Sequence, residues 1–157
     1  MKRTQLFSFA CLAGLLLTAA TCRAQEEPRQ LGLGVYAGTP FGFSAKYNID
    51  GRNSVATGLG VQGDSFDMHV DVLTHFRDLN LQPPVGRLAP YLGLGMKIKD
   101  ESDTLFGFRF LGGLSYVFKG APLEVFGELA PVLRVTPSLG SNLDGGAGIR
   151  YYFGGSR

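Results

Sequence analysis

Apolar side chains alternate with polar or small ones along almost the whole of this 157-residue chain after residue 30. A period of two residues is typical of β-strands, because successive side chains of a strand point to opposite faces. Stretches rich in Gly, Asp, Asn and Pro separate the alternating segments and favour turns. The sequence therefore predicts an all-β chain. Its eight predicted strands are roughly residues 30–38, 41–49, 54–62, 65–76, 88–99, 107–118, 123–135 and 143–153.

The two faces of these strands differ in polarity and in size. One face is nearly free of charge, with residues such as Leu31, Phe43 and Val70, while the other carries the charges and most of the glycines. Inside an eight-stranded barrel, glycines make room for long charged neighbours, whereas on a solvent-facing surface they would only weaken the strands. The apolar face therefore points outward, the reverse of a lipocalin-like soluble barrel. We predict an eight-stranded antiparallel transmembrane up-and-down β-barrel, whose apolar face meets lipid.

The inward face is predicted to carry a network of polar side chains in the lumen. Its members are Lys46, Asp67, His69, Asp71, Lys97, Arg109, Glu128, Arg134, Asp144 and Arg150, with Glu124 as a further inward charge. Positive and negative charges nearly balance on this face, which favours salt bridges that plug the lumen. We expect Glu128 to bridge Arg109 and Arg150 there. A wide water-filled pore normally takes about 16 strands.

The stretch SFDMHVDVLTHF, residues 65–76, raises the question of a metal or catalytic site. His69 and Asp71 are two residues apart and share the inward face, but a zinc site needs three or four ligands and the sequence indicates no clear third. Both histidines lie in one strand, and neither Ser54 nor Ser65 has an obvious claim to be activated. The sequence therefore predicts no metal, no cofactor and no catalytic residue.

The N-terminus has the features of a secretory signal peptide over residues 1–24. Lys2 and Arg3 precede a mainly apolar stretch, and small residues lead to a cleavage site after Ala24. A membrane-spanning helix is the alternative, but the stretch is short for the roughly 20 apolar residues required. A lipid anchor on Cys22 is disfavoured, because the residues before it differ from the usual lipoprotein pattern.

Cleavage at this site would leave a barrel over residues 25–153 and a short C-terminal tail, 154–157. Both cysteines would be removed with the signal, so the exported chain would have no disulfide. Loss of Lys2, Arg3 and Arg23 leaves 12 basic against 13 acidic residues, scattered along the chain. Without a basic cluster, the sequence predicts no nucleic-acid partner.

The last predicted strand ends in GIRYYF, where Gly148, Tyr151 and Phe153 have a spacing that resembles the C-terminal assembly signal of bacterial outer-membrane barrels. The stretches GTPFGFSAKYNI, DMHVDVLTHF, PYLGLGMKI and PLEVFGELAPVLRVTPSLGSNLDGGAGIRYYF resemble a family of small outer-membrane barrels of unknown function from spirochaetes and other Gram-negative-type bacteria. More broadly, the chain is similar to the eight-stranded opacity and OmpA-like barrels. The resemblance implies a fold and an outer-membrane location, and it brings no catalytic residues.

These features predict a non-enzymatic protein of the bacterial outer membrane with a structural or surface-interaction role. The expected partners are outer-membrane lipid and the barrel-assembly machinery, and we expect a monomer. The sequence does not specify an extracellular ligand. The alternatives are a narrow channel for small solutes or ions and, behind it, a lipid-modifying outer-membrane enzyme.

Overall fold

A computed structural model of the chain describes residues 31–76, 83–100 and 103–153. The predicted N-terminal signal and C-terminal tail lie outside these residues. Eight strands follow one another in the described part of the chain. They are β1 (Leu31–Gly38), β2 (Phe41–Asn48), β3 (Asn53–Gln62), β4 (Ser65–His75), β5 (Gly86–Asp100), β6 (Leu105–Phe118), β7 (Leu123–Thr136) and β8 (Gly140–Phe153).

Within these ranges, no helix is long and apolar enough to cross a membrane.

The observed strand ends differ from the predicted ones by three residues at most. The largest difference is the start of β8 at Gly140, because the β7–β8 hairpin stays paired closer to its turn than the turn-rich composition suggests. Arg134 of β7 is opposite Gly140, and Val132 is opposite Asn142. Pairing here satisfies backbone N–H and C=O groups that a longer loop would leave to water.

Each strand pairs antiparallel with its neighbours in the chain, and β1 closes the barrel against β8. A path along directly opposed residues from Gly32 of β1 through Lys46, Ala56, Asp71, Gly95, Arg109 and Val132 reaches Asn142 of β8. Gly32 itself is opposite Tyr152, ten residues further along β8. The barrel thus has a shear of ten for eight strands, so its strands tilt by roughly 35–45°.

The two ends of the barrel carry different connections. The terminal end, where β1 begins and β8 ends, also has the β4–β5 connection over residues 76–85, which has more residues than any other connection between the eight described strands. At the opposite, distal end every connection is short, and the β1–β2 and β3–β4 turns consist of only residues 39–40 and 63–64. Outer-membrane barrels usually have short turns at the terminal end and longer loops at the distal end. This barrel has the reverse distribution.

Burial in this barrel is the opposite of burial in a soluble protein. Large apolar side chains on the outer face are exposed, for example Phe43 at 70% and Leu129 at 62%, whereas Arg109 inside is 1% exposed. In water such an outer face would be unfavourable, but lipid solvates it, and a closed barrel leaves no unpaired strand edge there. The predicted fold class, an all-β eight-stranded antiparallel barrel with the design of a membrane-spanning barrel, is confirmed.

Glycines on the inner face allow close approach of neighbouring groups at particular points. A Cβ atom at Gly34 would collide with the carbonyl oxygen of Ile149 on β8, and one at Gly95 would collide with the Asp71 carboxylate on β4. The first contact is with backbone, which has little freedom to move. These two positions therefore require glycine for reasons of space.

Candidate functional site

The polar side chains of the lumen form two clusters, one towards each end of the barrel. The terminal cluster consists of Ser44, Lys46, His75, Glu124, Arg150 and Tyr152. The distal cluster consists of Asp67, His69, Asp71, Tyr91, Lys97, Arg109, Glu128 and Asp144. All of these side chains are buried, so their charges depend on each other for solvation.

Glu124 is the centre of the terminal cluster. Its carboxylate accepts a hydrogen bond from the Lys46 ammonium at 2.7 Å and one from the Tyr152 hydroxyl at 2.5 Å. The Arg150 guanidinium lies 3.5 Å from the same carboxylate. One buried anion is therefore shared by two cations from β2 and β8, which are not adjacent to each other along the chain.

Arg150 has two further contacts that fix its position. Its Nε and Nη2 atoms donate to the Ser44 hydroxyl at 3.0 and 2.8 Å. The guanidinium also lies over the Phe126 ring, 3.5 Å from its centroid, in a cation–π contact. The Lys46 ammonium contacts His75 Nε2 at 2.9 Å. The cluster thus joins strands from opposite sides of the barrel.

Arg109 is the centre of the distal cluster. Its guanidinium lies 3.3 Å from Asp71, 3.2 Å from Glu128 and 3.5 Å from Asp144. These carboxylates come from β4, β7 and β8, while Arg109 itself lies on β6. One side chain therefore spans the lumen and contacts three other strands.

Lys97 is the second cation of the distal cluster. Its ammonium lies 2.7 Å from Asp67 and 2.5 Å from Asp144. The cluster thus contains four carboxylates, those of Asp67, Asp71, Glu128 and Asp144, but only the two cations Lys97 and Arg109. If every carboxyl is ionised and His69 is neutral, the cluster has an excess of two negative charges.

Apolar side chains also point into the lumen, at positions that were not predicted from the sequence. Leu73, Leu111, Phe126 and Val132 are each at most 3% exposed. They lie on the inward face between charged residues, where the alternation of apolar and polar side chains breaks down. Each lies two or four residues from an inward charge, for example Leu73 after Asp71 and Leu111 after Arg109, so counting by two along the strand could have placed them inside.

The predicted lumen residues are brought together with one exception. Nine of the ten lie inside the barrel, namely Lys46, Asp67, His69, Asp71, Lys97, Arg109, Glu128, Asp144 and Arg150, each at most 8% exposed. Arg134 is different, because it lies at the distal end of β7, half-buried, where its Nε donates to the Ser138 carbonyl at 3.0 Å. It belongs to the rim of the barrel and not to the lumen network.

The predicted bridge from Glu128 to both Arg109 and Arg150 is wrong in its second half. Glu128 contacts Arg109 and accepts a hydrogen bond from Tyr91, whereas Arg150 pairs with Glu124. The register explains the difference, since Glu124 is directly opposite Arg150 and Glu128 is opposite Gly146.

The residues of the predicted assembly signal divide between the two faces of β8. Tyr151 and Phe153 point outward at the terminal end, 48% and 51% exposed, with ring centroids 4.8 Å apart. Gly148 points inward, where a Cβ atom would approach the Phe126 ring and the Val35 carbonyl. The two aromatics thus lie where an interfacial girdle of a membrane barrel is found.

No protein-family model and no curated protein matches this chain. Among solved structures, the N-terminal β-barrel domain of Pseudomonas aeruginosa OprF is similar, with a TM-score of 0.58 and 15% sequence identity. The match covers 83% of this chain and 100% of the OprF domain. At this identity the similarity concerns the fold. That fold is an eight-stranded β-barrel, and the apolar outer face is the kind of surface that a membrane barrel presents to lipid.

Proposed function

We propose that this chain is a bacterial outer-membrane protein, exported by a signal peptide over residues 1–24, whose barrel has a structural or surface-interaction role and no enzymatic activity. In this proposal a salt-bridged lumen is closed to solutes. The protein acts as a monomer in lipid and is inserted by the barrel-assembly machinery. It belongs with the small opacity-like and OmpA-like barrels that its sequence resembles.

The observation that carries this proposal is the position of Arg109. Its guanidinium contacts carboxylates of the neighbouring strand β7 and, across the lumen, of β4 and β8, and the side chain is only 1% exposed. A water-filled channel at this level would require these pairs to separate. Each separated charge would then lack its partner in a lumen too narrow to hydrate it fully, and an unpaired charge in such a place costs free energy.

The terminal cluster supports a closed lumen independently. Glu124 is 0% exposed and is held by cations from β2 and β8, and Phe126 packs against one of them. A solute that passed the distal cluster would meet this second set of contacts. Two successive constrictions favour a structural barrel over a narrow channel.

The positions of the histidines support a non-enzymatic role. The lipid-modifying barrels that form the second alternative use serine–histidine arrangements facing lipid. In this barrel both histidines, His69 and His75, point into the lumen and are at most 5% exposed. His75 contacts the Lys46 ammonium and the Arg52 carbonyl, and neither of these groups is the serine nucleophile that such an enzyme would need.

Recording in planar lipid bilayers tests the closed lumen. We expect the purified, folded protein to show no steady conductance, because the pairs of Arg109 close the barrel. Stable conductance in the parent, with only ion selectivity changed by Glu128→Gln, would instead establish the narrow channel. For the enzyme alternative, we expect the mass spectrum of outer-membrane lipids to be identical in strains with and without the protein.

A further inference from the structure

We propose that the lumen binds one divalent transition-metal ion, with zinc as the best candidate, between His69, Asp71 and Glu128. Each of these residues offers one ligand atom, and these atoms all lie within 4.8 Å of one another. All three side chains are at most 8% exposed. The proposal concerns the lumen itself and does not depend on whether the barrel conducts ions.

The closure of the barrel supplies the ligand that is missing from the local sequence. His69 and Asp71 lie on β4, but Glu128 lies on β7, three strands away around the barrel. The expectation of no metal depended on the lack of a third ligand close to His69 in the chain. Since Glu128 meets His69 and Asp71 across the lumen, that reason no longer holds.

The His69 ring provides an independent indication of a ligand. It is 5% exposed, and among the described residues its Nδ1 has no hydrogen-bond partner. Its Nε2 lies 3.6 Å from Asp71 Oδ2, which is too long for a hydrogen bond. A buried imidazole without a hydrogen bond is costly. A metal bound by Nε2, the ring nitrogen that faces Asp71, would give the ring one partner, while Nδ1 would still have none among the described residues.

The charge of the distal cluster points to the same conclusion. Four carboxylates are in direct contact with only Lys97 and Arg109, which leaves the cluster with an excess of two negative charges, and Arg150 acts on Asp71 only from a greater distance. One dication would neutralise that excess. The competing explanation is that two of the carboxyl groups bind protons, and in that case a metal has to displace these protons, so its affinity is lower and falls further as the pH falls.

The kinds of ligand favour zinc over calcium or magnesium. One imidazole nitrogen with two carboxylate oxygens suits zinc, whereas calcium and magnesium prefer oxygen ligands alone. Ligand atoms around a tetrahedral zinc lie about 3.3 Å apart, so separations of up to 4.8 Å between the three ligand atoms need to shorten by up to about 1.5 Å. Rotations about the side-chain bonds of these three residues allow a movement of that size.

Neighbouring groups are placed to orient the ligands rather than to block them. Arg109 approaches Asp71 through Oδ1, so the other oxygen, Oδ2, stays directed at His69. Glu128 is held by Arg109 at Oε1 and by the Tyr91 hydroxyl at Oε2. A carboxylate oxygen has two lone pairs, so it can accept one of these bonds and bind a metal as well.

The test is the metal content of the full-length protein, purified in detergent from outer membranes without chelator and then equilibrated with zinc chloride. Mass spectrometry of the metal is to be done on the parent, His69→Gln, Glu128→Gln and the control His75→Gln. His75 is the matched control, because it is the only other histidine and it lies in the terminal cluster. Folding of each variant is checked by its heat-modifiable mobility on a gel.

We expect about one zinc per barrel in the parent and in His75→Gln, and at least about a tenfold loss of affinity in His69→Gln and Glu128→Gln. If His69→Gln does not fold, Glu128→Gln and the visible absorption of the cobalt-loaded parent, which reports a tetrahedral nitrogen–oxygen site, decide the matter. A folded parent with no bound zinc, or equal zinc in the parent and His69→Gln, would overturn the proposal. Equal loss in His75→Gln would do so too.

Discussion

Glu124 illustrates how single residues allow this barrel to keep charges away from water. Its carboxylate is 0% exposed, yet it contacts two cations and a hydroxyl. A buried charge is tolerated only where such partners replace its hydration. In the terminal cluster the single carboxylate is shared by Lys46 and Arg150, whereas in the distal cluster each cation contacts several carboxylates.

Neutralising Glu124 should therefore cost more stability than neutralising an acid of the distal cluster. We expect Glu124→Gln to lower the free energy of unfolding by about 3 kcal/mol, because Lys46 and Arg150 lose the anion that they share. The matched variant Asp67→Asn should cost at least about 2 kcal/mol less, since Lys97 keeps Asp144 and the acid-rich cluster loses one repulsive charge. Urea unfolding in detergent or liposomes measures both, and equal losses would contradict this account of the clusters.

Single glycines also show that the inside of the barrel is crowded and that the outside is open. We expect Gly34→Ala to destabilise the barrel by about 1–3 kcal/mol, because its Cβ atom would collide with the Ile149 backbone. Gly127→Ala is the control, since Gly127 points outward and a Cβ atom there would meet nothing closer than 3.8 Å. Thermal unfolding followed on a gel compares the two, and a tolerated Gly34→Ala would show that β1 and β8 can move apart.

At the scale of the element, β8 has different roles on its two faces. Its inward residues Asp144 and Arg150 contribute to both clusters, while Tyr151 and Phe153 face outward at the terminal end. It also closes the barrel by pairing with β1 along the full length of β1. A defect in this strand would therefore affect closure, the lumen and the membrane interface together.

Two variants distinguish an assembly signal in β8 from a general requirement of the barrel for aromatic residues at the membrane interface. We expect Phe153→Ala to lower the amount of folded barrel in the outer membrane by about twofold or more, because it removes both a girdle residue and the terminal aromatic of the signal. Phe118→Ala is the control. Phe118 is also a partly exposed aromatic at the terminal end, in contact with Tyr116, but it ends β6. Equal amounts of heat-modifiable protein for the two variants would show that only the girdle matters.

At the scale of the whole molecule, the short distal connections limit what the barrel presents on that side. The turns over residues 39–40 and 63–64 leave little chain beyond the strands, and the longest connection, 76–85, is at the terminal end. A surface interaction at the distal end would therefore use the rim, where Arg134 lies, rather than extended loops.

At the same scale, the proposed export of the chain predicts its mature N-terminus. Small residues lead to Ala24, so we expect cleavage there and a mature protein that begins at Gln25. Mass analysis of the intact protein purified from membranes measures this directly, and Cys22→Ser should leave the mature mass unchanged because that residue is removed. A mature chain that keeps Met1, or one with a lipid on Cys22, would refute the prediction.

The alternation of residues such as Leu31, Gly32, Leu33 and Gly34 was enough to predict the strands, their two faces and the barrel. The prediction succeeds because the alternation of side chains along a strand is a local property, and because an apolar face and a polar face require different surroundings. The inward position of Lys46, Asp67, Arg109 and Arg150 follows from the same local rule.

The partners of these residues were decided by the tertiary structure alone. The pairing of Arg150 with Glu124, the contacts of Arg109 across the lumen and the approach of Glu128 to His69 depend on the register and on the shear of the closed barrel. A shift of register by two residues would keep every side chain on its face and still change every partner. Alternation specifies which side chains enter the lumen, but only closure of the barrel specifies which of them meet.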